Sequence, residues 1–160
     1  MVHEFTGGQD IAGRRFAIVA SSFNDFIVRP LVEGAQRTFD GVGVSAEDLD
    51  LAWCPGAVEL PLVAKKLADS GRYDGIVALG CVLRGGTPHF DYVCSIAAEG
   101  ITRASLDSGI PISFGVLTVD TMEQAIERAG PDTGNKGCEA AEAAIEMVSL
   151  LASIDAVGQG

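Results

Sequence analysis

Residues 76–83 read Ile-Val-Ala-Leu-Gly-Cys-Val-Leu, without one charged or amide side chain. A strand with one wet face alternates apolar and polar residues. A run without alternation has to be covered on both faces, as in a parallel sheet held between two layers of helices. The chain repeats this unit. Residues 16–20, 48–54 and 111–119 predict three more strands around the one at 74–83, the second of them interrupted by Asp50. Between them, apolar residues fall at helical spacing: Ile27, Val28, Leu31, Val32, Ala35 and Phe39 in one stripe, then Leu60, Val63, Ala64 and Leu67 within a helix over 57–68. A third stripe, Tyr92, Val93, Ile96, Ala97 and Ile101, lies within 89–107. Thr121 with Gln124 three residues on predicts a capped fourth helix, and the alanine-rich stretch 138–153 a fifth. Pro30 requires the first helix to start near Ile27 or to kink there, and Pro61 belongs in the first turn of the second. The order βαβαβαβαα, with right-handed crossovers, is an α/β three-layer sandwich with a four-stranded parallel sheet.

One domain is expected over residues 14–154, with a flexible arm at 1–13 and a frayed tail at 155–160. A composition of 48% hydrophobic and 21% charged residues suits a packed core. The net charge of −11 argues against nucleic acid and anionic membranes as partners. No apolar run approaches the ~20 residues of a membrane helix, and residues 1–13 lack the apolar core of a signal peptide; the expectation is a cytoplasmic protein. Cys54, Cys81, Cys94 and Cys138 show no metal-ligand spacing and sit in or beside apolar segments, which predicts buried free thiols.

Ligands of such folds bind outside the carboxyl ends of the strands. Those ends are Phe23, residues 55–59, residues 83–89 and the region after Phe114. The third strand stops abruptly at Arg-Gly-Gly-Thr-Pro-His (84–89), where Thr87 is the expected N-cap and Pro88 the first helical residue. Such a loop turns several backbone N–H groups and a helix N-terminus toward one spot, where an anion such as phosphate settles. His89, in the first turn, is the candidate proton carrier. Arg84 and Lys136, in glycine-containing turns, and Arg128, just before one, are candidate anion-handling groups in an acidic protein, with surface salt bridges as the other reading and an inter-subunit one an equal reading for Arg84. Asp91, two residues from His89, points elsewhere on a helix and is read as structural.

Gly-Cys-Val-Leu-Arg-Gly-Gly-Thr-Pro-His-Phe-Asp-Tyr-Val (80–93), Gly-Val-Leu-Thr-Val-Asp-Thr-x-Glu-Gln-Ala (115–125), Arg-Ala-Gly (128–130) and Gly-Asn-Lys-Gly (134–137) resemble the 6,7-dimethyl-8-ribityllumazine synthase family. Ser-Phe-Asn (22–24) and Pro-Gly-Ala-Val-Glu-Leu-Pro (55–61) match in place and order, so the resemblance covers roughly residues 14–150. It implies a flavodoxin-like sandwich assembled as a pentamer or a larger shell of pentamers. The Gly-Asn-Lys-Gly turn is similar to that of shell-forming members. It further implies condensation of 5-amino-6-(D-ribitylamino)uracil with 3,4-dihydroxy-2-butanone 4-phosphate, the penultimate step of riboflavin synthesis, with no metal or redox cofactor.

Carried onto this chain, the resemblance implies that His89 moves protons and that Gly86 and Thr87 hold the phosphate. Arg128 would join from a neighbouring subunit, with Lys136 as an accessory positive group. Phe23 would stack on the pyrimidine, and Ala57, Val58 and Glu59 would hold the ribityl chain. Cys81, Val82 and Leu83 would read the ring through backbone groups, and Phe114 would close the slot from the adjacent subunit. Departures from the family pattern are Gly86, where many relatives carry a polar or acidic residue, Val58, where an aromatic is frequent, and Pro30 within the first helix. Two other readings share part of the pattern. A pentameric riboflavin synthase of the archaeal type would act on the lumazine product, against which the intact Arg-Gly-Gly-Thr-Pro-His weighs. A non-catalytic flavin- or lumazine-binding shell protein would have no use for His89, Arg128 and Lys136.

Overall fold

In a computed structural model, which describes residues 2–131 and 134–157, the chain forms four strands: β1 (Phe16–Ser21), β2 (Leu49–Cys54), β3 (Gly75–Leu83) and β4 (Ile112–Val119). All pair in parallel, in the order β2-β1-β3-β4. The helices are α1 (Asp25–Gly41), α2 (Leu60–Asp69), α3 (His89–Ser108), α4 (Met122–Arg128) and α5 (Lys136–Val157). The chain moves outward from β1 on one side and from β3 on the other, so the strand order reverses between these two. That reversal opens a crevice at their carboxyl ends, and the architecture is the flavodoxin-like three-layer sandwich expected.

The apolar runs are covered on both faces. Phe16, Ile18, Val77 and Leu79 pack with Leu31, Phe39, Ala125 and Ile145 beneath α1, α4 and α5. Their sequence neighbours Ala17, Val19, Ile76 and Ala78 pack with Leu60, Ala64, Ala97 and Ile101 beneath α2 and α3. Each fully buried Leu, Ile or Phe contributes about 1.5–3 kcal/mol. Gly115 lets β4 run on past Phe114, since a Cβ there would lie 2.5 Å from Leu79 Cδ2 and 3.0 Å from Ala140 Cβ.

Pro30 departs from expectation. The first helix starts at Asp25, so Pro30 lies inside it rather than in its first turn. Phe26, whose carbonyl the missing N–H leaves without its helical partner, is 58% exposed, so water reaches that turn. The carbonyl of Pro30 accepts from Asn135 Nδ2 at 3.3 Å. The third helix is assigned from His89, with Pro88 as its cap rather than Thr87. The Thr87 hydroxyl nonetheless accepts from His89 N at 3.4 Å, and Pro88 already has φ −65° and ψ −4°. The expected arm lies against its own chain: Gly8 N donates to Ser149 Oγ at 3.2 Å, and Ile11 is buried in the core. The last helix continues to Val157, beyond residue 154. The first residue of the expected arm and the last three of the expected tail lie outside the described residues.

Candidate active site

The loop after β1 is tied to both neighbouring strands. Ser22 N and Phe23 N donate to the carbonyls of Cys54 and Pro55 at 2.8 and 3.0 Å, and Ser22 Oγ donates to Cys54 O at 2.9 Å. Asn24 takes a left-handed conformation (φ 61°, ψ 39°), and its amide donates to Cys81 O at 3.1 Å. Asn and Asp tolerate this region better than other side chains do. With its backbone held this way, the Phe23 ring stands 71% exposed at the crevice mouth. Asn24 is a residue the sequence reading gave no role, although its place between a strand and a helix, and its tolerance of positive φ, mark it.

The β1–β3 ladder ends at Ala20–Leu79, whereas β3 and β4 stay paired as far as Leu83–Val119. Residues 81–83 therefore extend past the end of β1 and present backbone to the crevice on that side, with the Cys81 carbonyl already taken by Asn24. Across the crevice, Ala57, Val58 and Glu59 form a 3-10 turn ahead of α2. Ala57 is buried and Val58 exposed. Glu59 stands at the α2 N-terminus without capping it. Among the described residues its carboxylate makes no hydrogen bond or ion pair, which leaves it available to hydroxyl groups.

Beyond β3, Gly85, Gly86, Thr87, Pro88 and His89 are all exposed. A Cβ on Gly85 or Gly86 would meet nothing within 4 Å, so the fold itself does not call for glycine there. Arg84 corrects the anion-handling expectation. Its guanidinium is held by Asp120 Oδ1 at 2.6 Å and Asp91 Oδ1 at 3.7 Å, and lies 4.3 Å over the Phe90 ring. The two carboxylates raise its pKa, the Asp120 hydrogen bond most. Arg84 fastens the start of α3 to the end of β4, and Asp91 is structural as expected.

Phe114 corrects a second expectation. It is the third residue of β4, paired with Ala78, so the stretch just after it is strand interior rather than a carboxyl end. Its 44% exposed ring faces a cleft of about 380 Å³ along the free edge of the sheet. Arg128 and Lys136 line the same cleft, and no residue of the Phe23, Ala57 or His89 loops does. Gln124 seats Arg128. Its side chain closes a capping box with Thr121, and its carbonyl accepts from Arg128 Nη1 at 3.0 Å. Lys136 is the first residue of α5 and pairs with Glu139 at 2.7 Å. The predicted residues thus fall into two groups, one at the β1/β2/β3 rim and one on the β4 edge.

All four cysteines are free. Burial pushes the Cys54 and Cys81 thiols from 9.0 to about 11, with Glu59 adding to the shift at Cys54, so neither is a ready nucleophile. A folded-state value above the unfolded one gives stability that is complete below the unfolded value and lost as pH rises through the folded one. The urea midpoint is accordingly expected to fall as pH rises from 9.0 toward 11, with Tyr73, also raised by burial, adding to the slope. A Cys54→Ala, Cys81→Ala double variant should show a shallower fall; an unchanged slope contradicts the assignment.

Among the described residues, no His, Cys, Asp and Glu cluster suits a metal ion, and no described helix is long and apolar enough to cross a membrane. Sequence comparison finds that the model of the family described as 6,7-dimethyl-8-ribityllumazine synthase matches residues 13–152. Among solved structures, the chain aligns with a GDP-L-fucose synthetase from Naegleria fowleri at 11% identity and TM-score 0.45, over 100% of this chain and 51% of that one. With the NADP-bound form of that protein it aligns at 13% identity and TM-score 0.36, over 96% and 51%. The chain spans about half the length of these structures, and similarity at this level supports no functional inference. The match over residues 13–152 decides the assignment: the chain belongs to the 6,7-dimethyl-8-ribityllumazine synthase family.

Proposed function

We propose that the chain condenses 5-amino-6-(D-ribitylamino)uracil with 3,4-dihydroxy-2-butanone 4-phosphate to 6,7-dimethyl-8-ribityllumazine, releasing phosphate and water. It does so as a cytoplasmic homo-oligomer, a pentamer or a shell of pentamers, with each active site at a subunit interface. The observation that carries this reading is the division of the site into a rim and a separate edge cleft, each holding what the other lacks. The rim has the exposed Phe23 ring, the free Glu59 carboxylate, the projecting backbone of residues 81–83, and Gly86, Thr87 and His89. The cleft has Phe114 and two cations, Arg128 and Lys136, the latter paired with Glu139, which also lines it. A head-to-tail contact between copies apposes a rim to a neighbour's cleft and generates a ring.

In the composite site, the pyrimidine lies between Phe23 and the neighbour's Phe114, and Ala57, Val58 and Glu59 take the ribityl chain. Cys81, Val82 and Leu83 read the ring edge. The phosphate sits against the Gly86 and Thr87 backbone, where the absence of a Cβ on Gly86 permits close approach, and pairs with the neighbour's Arg128, with Lys136 adding positive potential. The uracil amine adds to the butanone carbonyl and water leaves. Loss of the C3 proton then expels phosphate from C4, the enol left behind tautomerises to a ketone at C3, and closure of the ribityl-bearing nitrogen on that ketone expels another water. None of these steps is a redox step. His89 delivers and removes the protons, and holding the two substrates together supplies much of the rate. Steady-state formation of lumazine from the two substrates tests the reading. A rate well above the uncatalysed one is expected; tight flavin binding without product would overturn it in favour of a carrier.

A further inference from the structure

Asn135 is 3% exposed, one of the few polar residues buried in this core. Its amide Nδ2 shares its two hydrogens among three carbonyls from two parts of the chain: Pro30 at 3.3 Å, Ala129 at 3.2 Å and Gly130 at 3.1 Å. Its Oδ1 accepts from Cys138 N at 3.1 Å, capping α5. Gly34 makes room for it, since a Cβ there would collide with the Asn135 side chain, and Gly137 lets α5 close onto the Leu31 carbonyl of α1. The interior proline of α1, the end of α4 and the start of α5 thus meet on one side chain. The two cations of the edge cleft flank this junction in sequence: Arg128 precedes Ala129 and Gly130, and Lys136 follows Asn135. One amide therefore sets the spacing of the α4 and α5 termini that carry both charges.

We propose that Asn135 is the positioning residue of the anion subsite, holding Arg128 and Lys136 at the separation a phosphate monoester requires. The proposal deepens the function above and rests on it for the identity of the phosphate-bearing substrate. It goes beyond helix capping, because a cap needs only the Oδ1 contact to Cys138, whereas the three donated bonds go elsewhere. Removing a buried donor that satisfies several carbonyls is expensive, and a phosphate site built from two separate helix ends tolerates little change in their spacing.

Asn135→Ser distinguishes the two roles: serine still caps α5, but is too short to reach the carbonyls of Pro30, Ala129 and Gly130. Calorimetry with inorganic phosphate on the assembled full-length protein, together with steady-state kinetics, gives the readout. In Asn135→Ser, affinity for phosphate is expected to fall about tenfold, and KM for the butanone phosphate to rise by a similar factor. KM for the pyrimidine and the sedimentation coefficient are expected to stay at wild-type values. Asn135→Gln, which keeps the amide on a longer arm, should recover part of the phosphate affinity. Wild-type phosphate affinity in Asn135→Ser, or losses shared equally by both substrates, would overturn the proposal. Phosphate binding that depends on Asn135 in a protein that forms no lumazine would support it while removing the proposed reaction, so the two failures are distinguishable.

Discussion

Arg128→Ala is expected to raise KM for the phosphate-bearing substrate by about a hundredfold and to leave that for the pyrimidine within about threefold. The asymmetry follows from position. Arg128 is half-buried at the end of a short capped helix, with Nη1 anchored to the Gln124 carbonyl at 3.0 Å. Among the described residues its one ion-pair partner, Glu127, is 3.9 Å away and well exposed, which leaves guanidinium donors for an incoming anion. A charge-assisted bidentate contact to phosphate is among the strongest polar contacts a protein makes, and nothing in the cleft replaces it except Lys136. Steady-state kinetics with each substrate varied in turn, at fixed ionic strength, checks this. Equal losses for both substrates would contradict the assigned role.

His89→Ala is expected to slow turnover by about two to three orders of magnitude, with both KM values close to wild type, the range usual for losing a positioned acid–base group. The ring projects from the first turn of α3 into solvent, and among the described residues it makes no hydrogen bond or ion pair. It has little packing to lose, so a stability defect should not accompany the rate loss. A wild-type turnover in His89→Ala would refute proton transfer by this residue.

The fold was legible because uninterrupted apolar runs such as residues 76–83 can be buried in few ways, and because Thr121 and Gln124 announce a helix start by local chemistry alone. The rim was legible for a related reason: in a parallel sheet, sites gather at carboxyl ends, and loops such as Arg-Gly-Gly-Thr-Pro-His interrupt the pattern visibly. What periodicity does not report is which distant group a polar side chain meets. Asn135 bonds a carbonyl 105 residues away, and Asn24 one 57 residues away. Arg84 resembled an anion-binding group until Asp120, 36 residues on, was found beside it. Phe114 lies within the strand expected at 111–119, yet the sequence reading applies the carboxyl-end rule just after it, whereas β4 runs on to Val119 and leaves it mid-strand on the sheet edge. Pro30 is tolerated inside α1 because the turn that loses its N–H bond, at Phe26, is wet on one side.

In the proposed assembly, one chain carries two halves of a site and a neighbour completes it. Co-refolding His89→Ala with Arg128→Ala in equal amounts tests this most directly, since each variant is defective alone but in different halves. If rim and cleft come from adjacent subunits, about a quarter of the interfaces in the mixed ring carry both native residues, and activity should rise to roughly that fraction of wild type. Mixed particles that assemble normally yet show no more activity than the two variants measured separately would contradict the account.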